Sequence, residues 1–287
     1  MKAAAFEYHA PRSVNAATEL LARHVEENAR ILAGGQSLVP AMALRLAAPA
    51  HLIDINGVAG LSDLMLDDEG HLTVRACVRH AAFQQRVEQG RLGNLLSKVV
   101  RHIAHYPIRT RGTMCGSLAN ADPASEWCLV AVTLEAELVA TSSRGSRSIR
   151  ARDWFRGLMT TALRPDELLL EVRFDALPSD TVFGFQEFSR RAGDFALAMA
   201  LVTLRVQGGV IAEPRVGIGA VEPSPRRIAR AEEMLRGAKP SRELYEEAAN
   251  AAAESVDPLT DARYDAAYRR GLTRTMTFRA LNEACPA

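Results

Sequence analysis

The chain has 287 residues, enough for two or three compact domains that each bury a core. Its 48% hydrophobic and 24% charged residues are ordinary for a globular protein, and a formal net charge of +1 argues against a nucleic-acid or membrane surface. No apolar run can span a bilayer, and Glu7, His9 and Arg12 interrupt what would be the core of a signal peptide, so a cytoplasmic protein without membrane insertion is expected.

In chain order, Phe6 to Tyr8 reads as a short strand and Val14–His24 as a helix capped by Ser13, whose hydroxyl can accept from an early backbone N–H. Ala29–Ala33 is a short apolar strand, broken by Gly34-Gly35-Gln36-Ser37. Leu38–Leu46 then reads as a helix and His51–Ile55 as a strand. Leu61–Leu66 and His71–Cys77 predict a hairpin around the turn-forming Asp67-Asp68-Glu69-Gly70. Ala81–Gln89 and Leu92–His105 read as helices, the second ended by Pro107. Pro123 introduces a short helix running into a strand, and Asp166–Phe174 is a strand. Phe183–Phe188, Leu197–Gln207 and Glu213–Val221 alternate as strands; helices follow at about Pro225–Leu235, Ser241–Ala253 and Asp261–Leu281.

Cys77, Cys115, Cys128 and Cys285 are scattered and form no C-x-x-C pair, so no iron–sulfur, zinc or other metal site is expected. Cys77 and Cys128 lie among apolar residues and read as core-filling thiols.

Three segments carry possible chemistry. Ala33-Gly34-Gly35-Gln36-Ser37-Leu38 joins a strand to a helix. Its glycines permit positive φ, and the N–H groups after them can bind a phosphate. It is neither a Walker loop nor a G-x-G-x-x-G fingerprint, and taken alone a plain tight turn with Ser37 as helix cap is the favoured reading. The second, residues 109–126, is long, rich in turns and hydroxyl groups, and flanked by apolar runs. Thr113, Ser117 and Asn120 could line a diphosphate and a ribityl chain there, with Glu126 accepting from a hydroxyl; a structured surface loop is the alternative. The third, Phe185–Ala196, contains Arg190, Arg191, a Gly-Asp turn and Phe195, and by itself reads as a β-turn with solvated charges.

Together, A-G-G-Q-S-L at 33–38, R-T-R-G-T-M-C-G-S-L-A-N-A-D-P-A-S-E at 109–126 and S-R-R-A-G-D-F-A at 189–196 resemble the FAD-binding medium subunits of the xanthine dehydrogenase and carbon monoxide dehydrogenase family. The resemblance covers essentially the whole chain. It implies an α+β fold: a split FAD-binding module of the carbon monoxide dehydrogenase flavoprotein type (1–56 and 57–176), followed by a small C-terminal α/β domain, a sheet covered by helices (177–287). It implies FAD in this chain, a large molybdopterin-binding partner and a small partner with two [2Fe–2S] clusters, assembled as a dimer of heterotrimers. This subunit would pass electrons from those clusters to an external acceptor, with no catalytic acid, base or nucleophile of its own.

By the same resemblance, Ala33, Gly34, Gly35, Gln36 and Ser37 match the first pyrophosphate loop, and Leu38 lies beside the isoalloxazine ring. Thr113, Cys115, Gly116, Ser117, Asn120, Ser125 and Glu126 match the second loop. Ile103 and Ala104 would line the cofactor, Leu168 and Leu169 would make apolar contacts, and Phe195 would cover one ring face. Two departures stand out. Cys115 replaces a glycine of the family's T-I-G-G; if that position needs positive φ, the cysteine is strained by about 1–2 kcal/mol. It is also the main support for the alternative, a flavin-free structural subunit that keeps the fold. Glu187 stands near where relatives often carry a lysine, so more negative surroundings and a lower flavin potential are expected.

Overall fold

The computed structural model describes residues 2–287. The first part is a three-stranded parallel sheet, ordered β1 (Glu7–His9), β3 (His51–Asp54), β2 (Arg30–Leu32). Its connections carry α1 (Val14–Arg23) and α2 (Leu38–Ala43). Ser13 caps α1 as expected, its Oγ accepting from the Ala16 N–H at 3.1 Å. The core here includes Ala17, Leu21, Ile53 and Ile55, and Ala76, Cys77 and Leu168 from later in the chain complete it.

The second part starts with β4 (Leu64–Leu66) and β5 (Leu72–Arg75), the predicted hairpin. The run to residue 89 is not a helix. It is a single 3-10 turn at His80–Gln84, and α3 (Arg91–Val99) stops well before His105. Pro107 lies in the first turn of a short helix, α4 (Tyr106–Arg109), rather than ending one; its missing N–H would be unpaired there anyway. Next come α5 (Met114–Asn120), α6 (Glu126–Thr133), β6 (Glu137–Ser142), β7 (Gly145–Arg150), the small ribbon β8 (Phe155–Gly157) and β9 (Thr160–Thr161), and β10 (Leu168–Phe174). The five-stranded antiparallel sheet has the order β4-β5-β10-β6-β7.

The third part is an antiparallel four-stranded sheet, β11 (Val182–Phe188), β12 (Ala198–Gln207), β13 (Val210–Gly219) and β14 (Arg226–Arg227), with α7 (Ala229–Leu235), α8 (Arg242–Ser255) and α9 (Ala266–Ala284). The helix expected from Pro225 begins later because Arg226 and Arg227 pair with β13. Asp265 caps α9, accepting from the Tyr268 N–H at 2.7 Å. Gly184 lets α9 lie directly on the sheet, since a side chain there would run into the Ala280 carbonyl.

Every residue of α6 is buried. A helix apolar all round needs cover on all sides. It packs against β12 and β13 as well as within its own part. Gly217 of β13 permits this, because any β-carbon would collide with Thr133 of α6. The four-stranded sheet is thereby seated on the second part.

Candidate functional site

Strand β2 delivers the chain to Ala33 and Gly34. Gly35 then takes φ +70°, a conformation that L side chains disfavour. The backbone N–H groups of Gly35, Gln36 and Ser37 have no acceptor among the described residues. Ser37 precedes α2 but makes no side-chain capping hydrogen bond, so the plain-cap reading of this turn does not hold.

The second segment is more regular than a loop. Arg79 and Thr113 form an isolated antiparallel bridge, and the His80 N–H donates to the Gly112 carbonyl at 2.9 Å. Thr113 caps α5, its Oγ1 accepting from the Gly116 N–H at 3.0 Å. Gly116 must be small, since a β-carbon would stand 2.6 Å from that hydroxyl. Cys115 sits in the first turn of α5 with ordinary helical φ, so the anticipated strain does not arise. Its thiol faces inward and donates to the Val74 carbonyl at 3.5 Å, and burial pushes its pKa far up.

The two turns touch. A β-carbon on Gly34 would lie 2.5 Å from the Arg111 oxygen and 2.7 Å from the Gly112 Cα. A polar chain reinforces the contact. Asn56 Nδ2 donates to the Ala33 carbonyl at 2.8 Å, Arg79 Nη2 donates to Asn56 Oδ1 at 2.5 Å, and Arg79 Nη1 donates to the Arg111 carbonyl.

From this junction opens a cleft of about 1520 Å³. That exceeds the roughly 300–1,000 Å³ of pockets for drug-sized ligands and suits a dinucleotide. Every residue assigned by resemblance lines it. Ala33 to Leu38 form one wall; Thr113, Cys115, Gly116, Ser117 and Asn120 form the facing one, with Ser125 and Glu126 at the start of α6. Ile103 and Ala104 lie between α3 and α4, where Ala104 takes φ +43° and both carbonyls accept from Arg109 Nη1 at 2.8 Å. Leu168 and Leu169 open β10, and Phe195, 75% exposed, stands in the β11–β12 connection.

Two buried carboxyls lie at or near the cleft, Glu126 in its lining and Glu187 outside it. Glu187 is buried, and its Oε2 has no hydrogen-bond partner. Burial, reinforced by the nearby Glu126 charge, pushes its carboxyl well above the usual range. Burial likewise raises Glu126. The raised pKa favours the protonated carboxyl at neutral pH, and neither form of Glu187 supplies the positive charge of a lysine. His80 is held neutral by burial and by Arg109 and Arg79, its pKa lowered to about 4, and its Nδ1 accepts from Trp127 Nε1 at 2.9 Å.

Sequence reasoning missed Asn56, Arg79 and His80, and placed Arg109 in the second motif without a role. The Asp54-Ile55-Asn56 stretch, at the end of the predicted strand His51–Ile55, was a local hint. Asp54 Oδ1 accepts from the Asn56 N–H at 2.8 Å, a local turn.

The chain matches two family models, the FAD binding domain in molybdopterin dehydrogenase over residues 4–176 and the CO dehydrogenase flavoprotein C-terminal domain over residues 183–284. Fold and cleft thus define a flavoprotein built from an FAD-binding module and a C-terminal domain. The nicotine 6-hydroxylase medium subunit of Paenarthrobacter nicotinovorans is 37% identical over 285 residues, 99% of each chain. Subunit alpha of the 6-hydroxypseudooxynicotine dehydrogenase complex of the same organism is 36% identical over 99% of this chain and 96% of the relative. Carbon monoxide dehydrogenase from Hydrogenophaga pseudoflava superposes with a TM-score of 0.92 at 33% identity, covering 99% of this chain and 98% of that one. The chain belongs to the FAD-binding medium subunits of the xanthine dehydrogenase and carbon monoxide dehydrogenase family, and is the flavoprotein component of a molybdenum hydroxylase.

Proposed function

We propose that this chain holds FAD across the junction of its two glycine-bearing turns and relays electrons from [2Fe–2S] clusters of a small partner to an external acceptor. A large molybdopterin-binding partner would carry out the substrate chemistry. The observation that carries the proposal is the contact of Gly34 with Arg111 and Gly112, which brings both turns to one cleft. FAD supplies redox chemistry that exchanges electrons singly with clusters and in pairs with an acceptor.

The residues fit such a group. The free N–H groups of Gly35, Gln36 and Ser37 would bind the diphosphate, and Thr113, Ser117 and Asn120 would offer polar groups along the ribityl chain. Leu38, Ile103, Ala104, Leu168 and Leu169 would give apolar contact, and Ser125 and Glu126 would bind hydroxyls. Phe195 would cover one ring face at the cleft mouth.

Relatives named as subunits of dehydrogenase complexes support the partners, and a dimer of heterotrimers is the proposed assembly. No helix among the described residues is long and apolar enough to cross a membrane, in keeping with the proposed cytoplasmic location. A three-part division at 1–56, 57–176 and 177–287 is proposed on the support of one main sheet in each part. The flavin-free alternative loses its main support with the unstrained backbone of Cys115.

The test is the flavin content of the purified chain, alone and with its partners. One FAD per chain, lost in Gly35→Asp, is expected. A colourless complex, or undiminished flavin in Gly35→Asp, would refute the proposal.

A further inference from the structure

Three of the seven histidines meet where β1, β3 and the end of α1 come together. His9 ends β1, His51 begins β3, and His24 is the C-cap of α1. One ring nitrogen of each lies within 4.8 Å of the others. None of the three lines the flavin cleft.

Two carboxylates complete the group. Glu27 divides its oxygens between two imidazoles: Oε1 lies 3.0 Å from His24 Nδ1 and Oε2 lies 3.1 Å from His51 Nε2. The opposite nitrogen of each ring is left for another partner. At His51 that nitrogen, Nδ1, is 3.0 Å from His9 Nε2 and 3.6 Å from Glu7 Oε2, and the same Glu7 oxygen is 4.0 Å from His9 Nε2.

We propose that His9, His24 and His51 bind a divalent transition-metal ion of the zinc class, with Glu7 as fourth ligand and Glu27 as the carboxylate that orients two of the imidazoles. Imidazole suits zinc, copper and nickel, and a ligating imidazole commonly donates its other N–H to a carboxylate. Zinc–nitrogen bonds of about 2.0–2.1 Å in a tetrahedron put ligand atoms roughly 3.3 Å apart. The His9, His51 and Glu7 separations of 3.0, 3.6 and 4.0 Å bracket that spacing. The His24 ring stacks on His51 with centroids 3.8 Å apart and must swing about its side-chain bonds to join them. His24 and His9 are only partly buried, which leaves room for this movement.

The ion would have a structural role. It would tie two neighbouring strands to the end of α1, from which Val25 to Leu32 continue, and much of that segment lines the cleft. It would brace one wall of the flavin site without touching the flavin.

The test uses the full-length chain, stripped by a chelator and titrated with Zn²⁺ by calorimetry, and with Co²⁺ followed by its visible absorption. Binding of one Zn²⁺ per chain is expected, with a higher Tm and the Co²⁺ bands of a tetrahedral site. His9→Ala and His24→Gln should each weaken binding by about tenfold or more, and Glu27→Gln by about 10–100-fold. These positions are partly or fully exposed, and each variant should unfold at the metal-free wild-type temperature. A wild-type chain that takes up no stoichiometric zinc, or His9→Ala and His24→Gln variants with unchanged affinity, would overturn the proposal.

Discussion

Gly34 and Arg111, far apart in sequence, are packed so closely that a β-carbon on the glycine would stand 2.5 Å from the arginine carbonyl oxygen. The neighbour is backbone, so it cannot rotate away. Gly34→Ala must separate the turns, at about 1–3 kcal/mol for an overpacked contact. The expected result is a folded chain whose flavin content after purification is at least tenfold lower (about 1.4 kcal/mol). Released-FAD fluorescence against circular dichroism measures both.

Asn56 joins the turns through side chains. Asn56→Ala leaves Arg79 Nη2 and the Ala33 carbonyl without this partner, a loss of about 0.5–1.5 kcal/mol at this exposed position. Faster FAD dissociation, by about tenfold, is expected together with a Tm lowered by a few degrees. Stopped-flow mixing with an FAD trap would show it, and equal rates would mean that the Asn56–Arg79 link does not hold the wall.

Cys115→Gly introduces the glycine that the motif resemblance implies, at a cost in stability. The cysteine is helical and buried, so glycine adds a few tenths of a kcal/mol of helix cost and removes a packed thiol, the larger loss. A loss of about 1–2 kcal/mol in urea unfolding is expected, with flavin content unchanged. A stabilised variant would show that the cysteine is strained after all.

The motifs that mark the cleft were legible only jointly, since each alone also reads as a turn or loop and it is their order and spacing that resemble one family. Their local form was less so. Residues 113–120 read as a loop because Thr, Ser, Gly and Asn are weak helix formers, yet Thr113 and tertiary packing make them a capped helix. The Asn56–Arg79 link was hidden, since neither residue has a distinctive sequence setting. The imidazole cluster was invisible for the same reason. His9, His24 and His51 follow no ligand spacing, and only the pairing of Glu7 with His51 across parallel strands brings them together.

Glu187 and Glu126 make stability depend on pH in a stated direction. Their folded pKa values, about 8 and about 7, lie above the ordinary 4.5. Their contribution is fully present below pH 4.5 and is lost as pH rises through the folded values. Glu187→Gln removes one ionisation. Its Tm should match wild type near pH 5 and exceed it at pH 8.5; parallel Tm curves would show that the buried carboxyl does not titrate as described.

Phe195 is exposed at the cleft mouth and belongs to no core cluster. Phe195→Ala is therefore expected to keep FAD and Tm but to change the rate at which the reduced protein is reoxidised. Stopped-flow absorbance with several acceptors measures this, and identical rates would place the ring away from the flavin.

The first core draws Ala76, Cys77 and Leu168 from beyond the parallel sheet, and the cleft takes Phe195 from later still. A nascent polypeptide emerging from the ribosome thus lacks a finished receptacle until well over half of it has been synthesised. Asp261 to Tyr264 add the last part of the lining, so early termination would yield fragments with an incomplete pocket.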